Sequence, residues 1–299
     1  MSFSQQPGEP HAMPPILAQK HREEEEEAQE LLADARQRLA AIVETLETED
    51  ETPVDNLFSA KQQRLLTRTL YSSWTPLPKD PASTTPRPFL ADANIGIYSA
   101  PLLPSIVPDF FLSLDVRPHD DWYTKAHRTY LFWEFGKPPE VALEIVSNRK
   151  GGELSDKLER YAEIDITYYV VYDPMRLLSP DVLRVYERTT GRQYHLRSDT
   201  HLPLIGLSVK LWEGEFEDHQ DSWIRWYDHE ERLILTGQER AIQAEERLTH
   251  AEEQRSQAEE RATQAEEQRS QAEDRATQAE ERAARLAAKL RELGIEPES

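Results

Sequence analysis

The segment from residue 141 to residue 173 restricts the fold of this chain more than any other. Residues 141–147 are apolar and rich in β-formers, with a proline pair shortly before them and a glycine pair after them, which indicates a buried strand. Residues 153–163 carry apolar side chains at the spacing of an amphipathic helix, and residues 167–172 form a second apolar run. The segment therefore predicts a βαβ unit with parallel strands and a right-handed crossover.

One carboxylate interrupts the first of these strands. Glu144 lies among apolar residues, where a charge is costly unless a partner or an ion compensates it. Asp109 precedes another apolar strand, so the two acids could share a hard divalent cation through oxygen ligands. Lys157 stands four residues before Tyr161, on the helix side that carries core residues, and can bend back toward the strand ends. These charges around one metal ion would polarise a phosphate and activate water for hydrolysis.

An ordered set of short motifs gives the chain a resemblance to a known family. The motifs are Pro108-Asp109, the 144–147 segment, Asp156-Lys157 with Tyr161, and the 168–174 strand. Together they resemble the Uma-two family of restriction endonuclease-like proteins, which belongs to the PD-(D/E)XK nuclease superfamily. The resemblance covers about residues 55 to 235, and the ordered combination is more specific than any one motif.

The resemblance implies an activity and a set of site residues. It implies an endonuclease that hydrolyses DNA phosphodiester bonds with Mg²⁺ or Mn²⁺. Asp109 and Glu144 match the metal-binding acids, and the backbone carbonyl of Ile145 matches the third protein ligand. The superfamily lysine stands two residues after the acid, where this chain has Val146. The resemblance places that catalytic role, stabilisation of phosphate charge, on Lys157 of the following helix.

Charge is the main observation against a nuclease. Residues 53–236 hold 21 Lys and Arg against 27 Asp and Glu, whereas a DNA-binding surface ordinarily shows a basic patch. A local basic patch around the site could nevertheless form from Arg149, Lys150, Lys157, Arg160 and the 125–128 segment. The alternative function is a catalytically inactive nuclease-fold module that acts in assembly through its helical tail, because a fold can outlive its activity.

The loop between the two acids allows two interpretations. Residues 115–128 include Trp122, Lys125 and Arg128, which could stack on or hold a nucleic acid, or could form an ordinary surface loop. His119 and Asp121 suggest a zinc site, but the chain has no cysteine and no third ligand at a suitable spacing. We therefore do not expect zinc there.

Several flanking elements follow from shorter patterns. A helix is expected over residues 60–70 with Ser59 as N-cap and with Gln62 and Gln63 in inward positions. Strands are expected over residues 93–98, 129–135 and 204–211, and a hairpin over residues 181–196. Trp223 and Trp226 are expected to pack on the core.

The two ends of the chain differ in composition from its centre. Residues 1–16 are proline-rich and expected to be disordered. The Glu23–Glu27 run leads into residues 28–43, which predict a helix, and glutamates at the beginning of a helix complement its dipole. From residue 238 the chain has a seven-residue repeat in which one position is alanine as far as Ala279. The second position of the expected helix seam is Leu, Ala or Arg. Gly294 and Pro297 predict the end of the helix. This heptad pattern predicts either a lone helix stabilised by surface ion pairs or a helix that pairs in a homodimer, and we favour the homodimer.

The expected architecture is an α/β (α+β) protein with a mixed β-sheet core of the restriction-endonuclease type, flanked by helices and followed by a long C-terminal helix or coiled coil. Its parts are residues 1–52, residues 53–236 as the nuclease-like domain, and residues 237–299. No apolar run reaches the length of a membrane span and no secretory pattern opens the chain, so a cytoplasmic location is expected.

Overall fold

A computed structural model of the chain describes residues 15–46, 56–80, 82–121 and 123–292. Most of the segment expected to be disordered therefore lies outside the described residues, as do Trp122 and the expected stop of the last helix. The chain divides into two compact units, Met1–Thr236 and Gly237–Ser299.

The first unit contains the strands and all but one of the helices in the described part of the chain. The strands are β1 Phe89–Asp92, β2 Ile97–Tyr98, β3 Phe110–Leu114, β4 Tyr130–Leu131, β5 Val141–Ile145, β6 Tyr168–Tyr172, β7 Leu183–Arg188, β8 Tyr194–Leu196, β9 His201–Leu202, β10 Leu207–Phe216 and β11 His219–Tyr227. The helices are α1 Pro15–Val43, α2 Leu57–Ser73, α3 Phe132–Phe135 and α4 Asp156–Glu163, with a 3₁₀ turn at Lys125–Arg128.

A six-stranded mixed sheet forms the centre of this unit, in the order β1-β3-β5-β6-β7-β8. β5 and β6 run parallel and α4 connects them, which confirms the predicted βαβ unit. β3 pairs antiparallel with β5, and β7 and β8 form the predicted hairpin. The architecture is the expected mixed α/β type. β10, β11 and β9 form a smaller sheet, and β2 pairs with β4.

Both faces of the central sheet are covered, which explains why β3, β5 and β6 are mostly apolar and buried along their whole length. Leu143 and Ile145 of β5 belong to a core cluster that includes residues of α2 and of the smaller sheet. Ala142 and Val146 belong to the cluster on the opposite face, together with residues of α4. Because side chains alternate along a strand, Glu144 points to the α4 face.

Two strand predictions were wrong in part. Residues 93–96 form a turn between β1 and β2, in which Asn94 adopts a left-handed φ of 56°. In the 129–135 run the strand is limited to Tyr130 and Leu131, and α3 follows at once. Gly136, with a φ of 75°, ends this helical turn by donating its N–H to the carbonyl of Phe132 at 2.7 Å.

The helix starts also differ from the expected ones. α2 begins at Leu57 with Asn56 as N-cap, and Ser59 donates its N–H to the Asn56 side chain at 3.0 Å. α1 begins at Pro15, so the glutamate run lies inside the helix and not at its beginning. Val43 and Leu46, at the end of α1, are buried in a cluster with Tyr98 and Leu131 of the β2-β4 pair.

The strand expected over residues 204–211 is longer than predicted. β10 continues to Phe216 and turns into β11 through Glu217 and Asp218, both with positive φ. Trp223 and Trp226 of β11 are fully buried, as predicted.

The second unit contains α5, Gly237–Glu292, a helix of 56 residues. Its surface carries ion pairs between residues four apart, such as Arg255 with Glu259 and Arg269 with Glu273. Leu248 and Leu286 are more than half exposed, at 66% and 56%. Among the residues that the structure describes, every helix is too short or too polar to cross a membrane.

Candidate active site

Glu144 is buried at the fourth position of β5, opposite Val171 of the parallel strand β6, and its side chain contacts two side chains of α4. Its carboxylate accepts a hydrogen bond from the Lys157 ammonium at 2.8 Å and one from the Tyr161 hydroxyl at 2.6 Å. Lys157 and Tyr161 are one helical turn apart, so both reach the same strand residue. The side chain of Glu144 is 2% exposed, so these two donors replace water at the carboxylate.

Asp109 lies beside Glu144 at the end of the neighbouring strand. The antiparallel register pairs Phe110 with Leu143, so the residue that precedes β3 falls opposite Glu144. One carboxylate oxygen of Asp109 accepts the backbone N–H of Ile145 at 2.6 Å. This bond joins the acid to the strand that carries Glu144. The structure therefore brings together Asp109, Glu144 and Lys157, the residues that the sequence singled out.

Ile145 contributes to this site through its backbone. It is the last residue of β5, and its side chain is buried on the opposite sheet face from Glu144. The N–H of Ile145 is engaged by Asp109, as described above. Its carbonyl belongs to the residue that directly follows Glu144 in β5.

The two inward glutamines of α2 have different partners. Gln62 pairs with the backbone of Ile224 on β11, donating to its carbonyl and accepting its N–H, each at 2.9 Å. Gln63 donates to Asp109 at 3.3 Å and exchanges hydrogen bonds with Asn94. Gln62 therefore closes the edge of the smaller sheet, whereas Gln63 orients a site acid. The sequence predicted that both side chains point inward, but it did not distinguish their partners. Which partner each glutamine reaches depends on how the helix is rotated about its axis.

A further acid lies in the loop between β5 and α4. Glu153 is 5% exposed, and its Oε2 atom has no hydrogen-bond partner. Its backbone carbonyl accepts a hydrogen bond from Tyr169 of β6 at 3.0 Å, which fixes the loop against the sheet. The apolar spacing predicted that Glu153 belongs to the helix, but α4 begins three residues later, at Asp156. In the sequence, its position directly after two glycines indicates a loop at this point.

The charges at this site act on one another. Burial raises the pKa of Glu144, and Lys157 and Tyr161 offset this only in part. Burial opposes the charge on Lys157, but the neighbouring carboxylates of Glu144, Asp109 and Glu153 raise its pKa on balance. The Lys157 ammonium thus stays charged, with three acids close enough to act on it. Burial also raises the pKa of Tyr161, so its hydroxyl remains a hydrogen-bond donor to Glu144.

The other sequence candidates lie in several environments. Arg149 and Lys150 are exposed in the loop after β5. Arg160 donates to the carbonyl of Ser105 at 3.0 Å, and Lys125 donates to the carbonyl of Glu44 at 2.7 Å, at the end of α1. Lys125 thus holds the loop against α1. Arg128 bonds within its own loop, to the carbonyl of Tyr123.

The chemistry of the donors suits a hard divalent cation. Asp109 and Glu144 offer carboxylate oxygens and Ile145 a backbone carbonyl, which are ligand types that Mg²⁺ and Mn²⁺ prefer. Within the described ranges, no three Asp, Glu or His side chains are placed closely enough to form a ready ligand set. The Lys157 ammonium binds one oxygen of the Glu144 carboxylate and the Tyr161 hydroxyl binds the other.

One comparison with known proteins gives a match. A family model described as a putative restriction endonuclease, Uma2, matches residues 25–203. This range includes the central sheet, α2, α4 and every site residue described above. Searches of curated proteins and of solved structures found no match to this chain.

Proposed function

The chain belongs to the Uma2 family of restriction endonuclease-like proteins, and from this premise we propose that it is a metal-dependent endonuclease that hydrolyses DNA phosphodiester bonds. The observation that carries the proposal is the convergence of three charged side chains from separate elements. The Lys157 ammonium lies 2.8 Å from Glu144, and Asp109 bonds to the residue next to Glu144.

Each site residue has a proposed task. Asp109, Glu144 and the carbonyl of Ile145 hold the metal ion, for which we propose Mg²⁺ or Mn²⁺. When bound there, the ion polarises the scissile phosphate and makes water a better nucleophile. Lys157 stabilises the negative charge that grows on the phosphate oxygens as water attacks.

The surrounding residues prepare these groups before substrate binds. The Tyr161 hydroxyl and the Lys157 ammonium each hold one oxygen of Glu144, and Gln63 and the Ile145 N–H each hold one oxygen of Asp109. Such fixed donors lower the entropy cost of arranging the site during the reaction.

Basic residues on α2 support DNA binding in spite of the acidic net charge. Lys61, Arg64 and Arg68 lie along one face of α2, and all three contact the single acid Glu217. Hydrogen bonds from Arg64 lower the pKa of Glu217 to about 2, so the acid is ionised and the cluster keeps a positive excess. The same helix carries Gln63, which contacts Asp109. We propose that this face binds the phosphate backbone of DNA.

Cleavage of supercoiled plasmid DNA tests the proposed function. We expect the purified chain to nick the plasmid with Mg²⁺ or Mn²⁺, and Asp109→Asn and Glu144→Gln each to lower the rate by about 100-fold or more, because each removes a charge at the reacting centre. Agarose gels of time courses measure the rate.

Glu134→Gln is the matched control. Glu134 is an exposed acid on α3, between the two site acids in sequence, and we expect this variant to cleave like the parent chain. Equal cleavage by the parent and by Glu144→Gln would assign the nicking to a contaminant. It would favour the alternative of an inactive nuclease-fold module that acts in assembly.

We also propose that α5 joins two copies of the chain. Its alanine heptads form a narrow seam, and exposed Leu248 and Leu286 add larger apolar side chains to the same helix. A homodimer would present two nuclease sites to one DNA duplex, one for each strand.

A further inference from the structure

The turn between β10 and β11 places one acid against three cations of α2. Glu217 is the first of the two residues that connect these strands. Its carboxylate oxygens lie 2.6 Å from the guanidinium of Arg64, 3.2 Å from the ammonium of Lys61 and 3.4 Å from the guanidinium of Arg68. Arg64 binds both oxygens, through Nε and Nη2, and the Lys61 ammonium also binds the Glu217 carbonyl at 3.0 Å. The turn is therefore held on α2 through its acid and through its backbone.

An ionised carboxylate in this position resembles a DNA phosphate in charge and in its free oxygens. A phosphodiester group of DNA carries one negative charge shared by two free oxygens, as an ionised carboxylate does. Arginine binds either group through a pair of parallel N–H donors, and lysine binds either as a point charge. Glu217 is ionised, because hydrogen bonds from Arg64 lower its pKa to about 2. Its carboxylate thus fills the position that a backbone phosphate would take on the basic face of α2, formed by Lys61, Arg64 and Arg68.

The three cations differ in how far they are open to solvent. The side chain of Lys61 is 24% exposed, that of Arg64 is 41% exposed and that of Arg68 is 62% exposed. A DNA strand that approaches this face therefore meets Arg68 first. Contact of a phosphate with Lys61, and with both donors of Arg64, requires Glu217 to leave its present position.

The base of the hairpin is anchored on α2 independently of these ion pairs. Trp223 of β11 is fully buried and stacks on Phe58 of α2, with ring centroids 5.2 Å apart. Phe216 and His219 pack edge-on against Trp223. Four of the six residues 215–220 are exposed, and a segment with few buried contacts opens at a low cost in free energy. The end of the hairpin can therefore lift from α2 while Trp223 stays in place.

We propose that Glu217 is an autoinhibitory phosphate mimic, which covers the basic face of α2 until a DNA phosphate takes its place. The inference rests on the proposed function, because it adds regulation to the face assigned there to the DNA backbone. A single small anion competes poorly with a carboxylate that the chain itself holds at high effective concentration. A DNA strand offers several phosphates at once and engages Arg68 before the exchange. The autoinhibitory contact therefore favours DNA over inorganic phosphate and free nucleotides.

Fluorescence anisotropy of the full-length chain with a labelled DNA duplex, in the absence of divalent cations, tests the inference. We expect Glu217→Gln to bind the duplex about 5- to 10-fold more tightly than the parent, because a neutral amide competes far less well for the cations of α2. Asp218→Asn is the matched control, at the exposed second residue of the same turn. It removes the same charge but leaves the Glu217 ion pairs in place, so we expect a change in affinity below about 2-fold.

Glu217→Asp gives a second test that keeps every charge. Its side chain is one methylene shorter, so the carboxylate no longer reaches all three cations. We expect a duplex affinity between those of the parent and Glu217→Gln. Thermal midpoints show which variants are folded, and Glu217→Asp decides the matter if Glu217→Gln does not fold.

The autoinhibitory contact and the nuclease fail in different ways. Parent-like affinity in both Glu217 variants, or equal tightening in Asp218→Asn, would overturn the autoinhibitory contact, and plasmid nicking by the parent would still stand. Tighter binding in Glu217→Gln but not in Asp218→Asn, with plasmid left intact in Mg²⁺ or Mn²⁺, would keep the autoinhibitory contact and overturn the nuclease.

Discussion

The Glu144 carboxylate is held at both of its oxygens by two residues one helical turn apart. Lys157 supplies a charge, and Tyr161 supplies a neutral donor whose raised pKa keeps the proton on the hydroxyl. A buried acid with fixed partners is oriented before any ligand arrives, and this orientation depends on the partners as much as on the acid. At the residue scale, the site is a small network in which both oxygens of Glu144 and both oxygens of Asp109 accept a hydrogen bond from a fixed donor.

Tyr161→Phe tests this network. We expect the variant to lose about 1–3 kcal/mol of unfolding free energy, because the buried Glu144 oxygen loses its 2.6 Å hydrogen bond. Urea denaturation followed by circular dichroism measures the loss. Tyr123→Phe is the control, since Tyr123 is 88% exposed and should give no change. A Tyr161→Phe protein as stable as the parent would mean that the hydroxyl contributes nothing to the network.

α2 shows at the element scale how one helix serves both the fold and the site. Gln62 satisfies the N–H and carbonyl of Ile224 on the outer side of β11, which is an edge strand of the three-stranded sheet in the described part of the chain. Gln63 faces Asp109. The sequence placed the helix and its two inward glutamines, but their separate partners depend on how α2 is rotated against two sheets. That rotation is set by the packing of Leu66 and Leu70 in the main core.

Near-isosteric substitutions of the two glutamines separate these roles. We expect Gln62→Leu to leave two buried backbone groups of Ile224 unpaired and to cost about 2–4 kcal/mol of unfolding free energy. We expect Gln63→Leu to cost less than about 1.5 kcal/mol but to lower plasmid nicking about 10-fold, because Asp109 loses a positioning donor. Urea denaturation and nicking time courses measure both variants. A larger loss of stability in Gln63→Leu than in Gln62→Leu, together with a larger loss of nicking in Gln62→Leu, would refute this assignment of roles.

Local patterns also explain where the strand predictions were wrong. The 129–135 run is aromatic and looks extended, yet only Tyr130 and Leu131 find a partner strand, in β2. The remaining residues close a helical turn at Gly136. Alternating apolar residues indicate that a segment is buried on one face. Whether the segment forms a strand also requires a neighbouring strand, whose position depends on residues far away in the sequence.

At the scale of the whole molecule, the charge is unevenly distributed. The net charge is −21 for the chain, while residues 53–236 hold 21 basic and 27 acidic residues. Most of the excess negative charge therefore lies in the extensions, and the nuclease-like unit is closer to neutral. The acidic total does not oppose DNA binding by a face such as that of Lys61, Arg64 and Arg68.

Removal of residues 237–299 tests the proposed role of α5. The first unit contains the core clusters of the described chain, so we expect the truncated protein to keep its thermal midpoint within about 3 °C. We expect the mass from light scattering to fall from that of a dimer to that of a monomer. An unchanged oligomeric state would assign association to another surface, and a large loss of stability would show that the first unit depends on α5.

The sequence by itself determined the βαβ unit, the hairpin after it, the buried position of Glu144 and the heptad helix. Each of these follows from the spacing of apolar residues and from glycine and proline boundaries within a short stretch. Only the tertiary structure decided that Gln63 binds Asp109, that Gln62 closes a sheet edge, and that Glu153 lies buried in the loop before α4. Those contacts join residues far apart in sequence, such as the 46 positions between Gln63 and Asp109, and helix and loop packing fixes them. No local pattern encodes such packing.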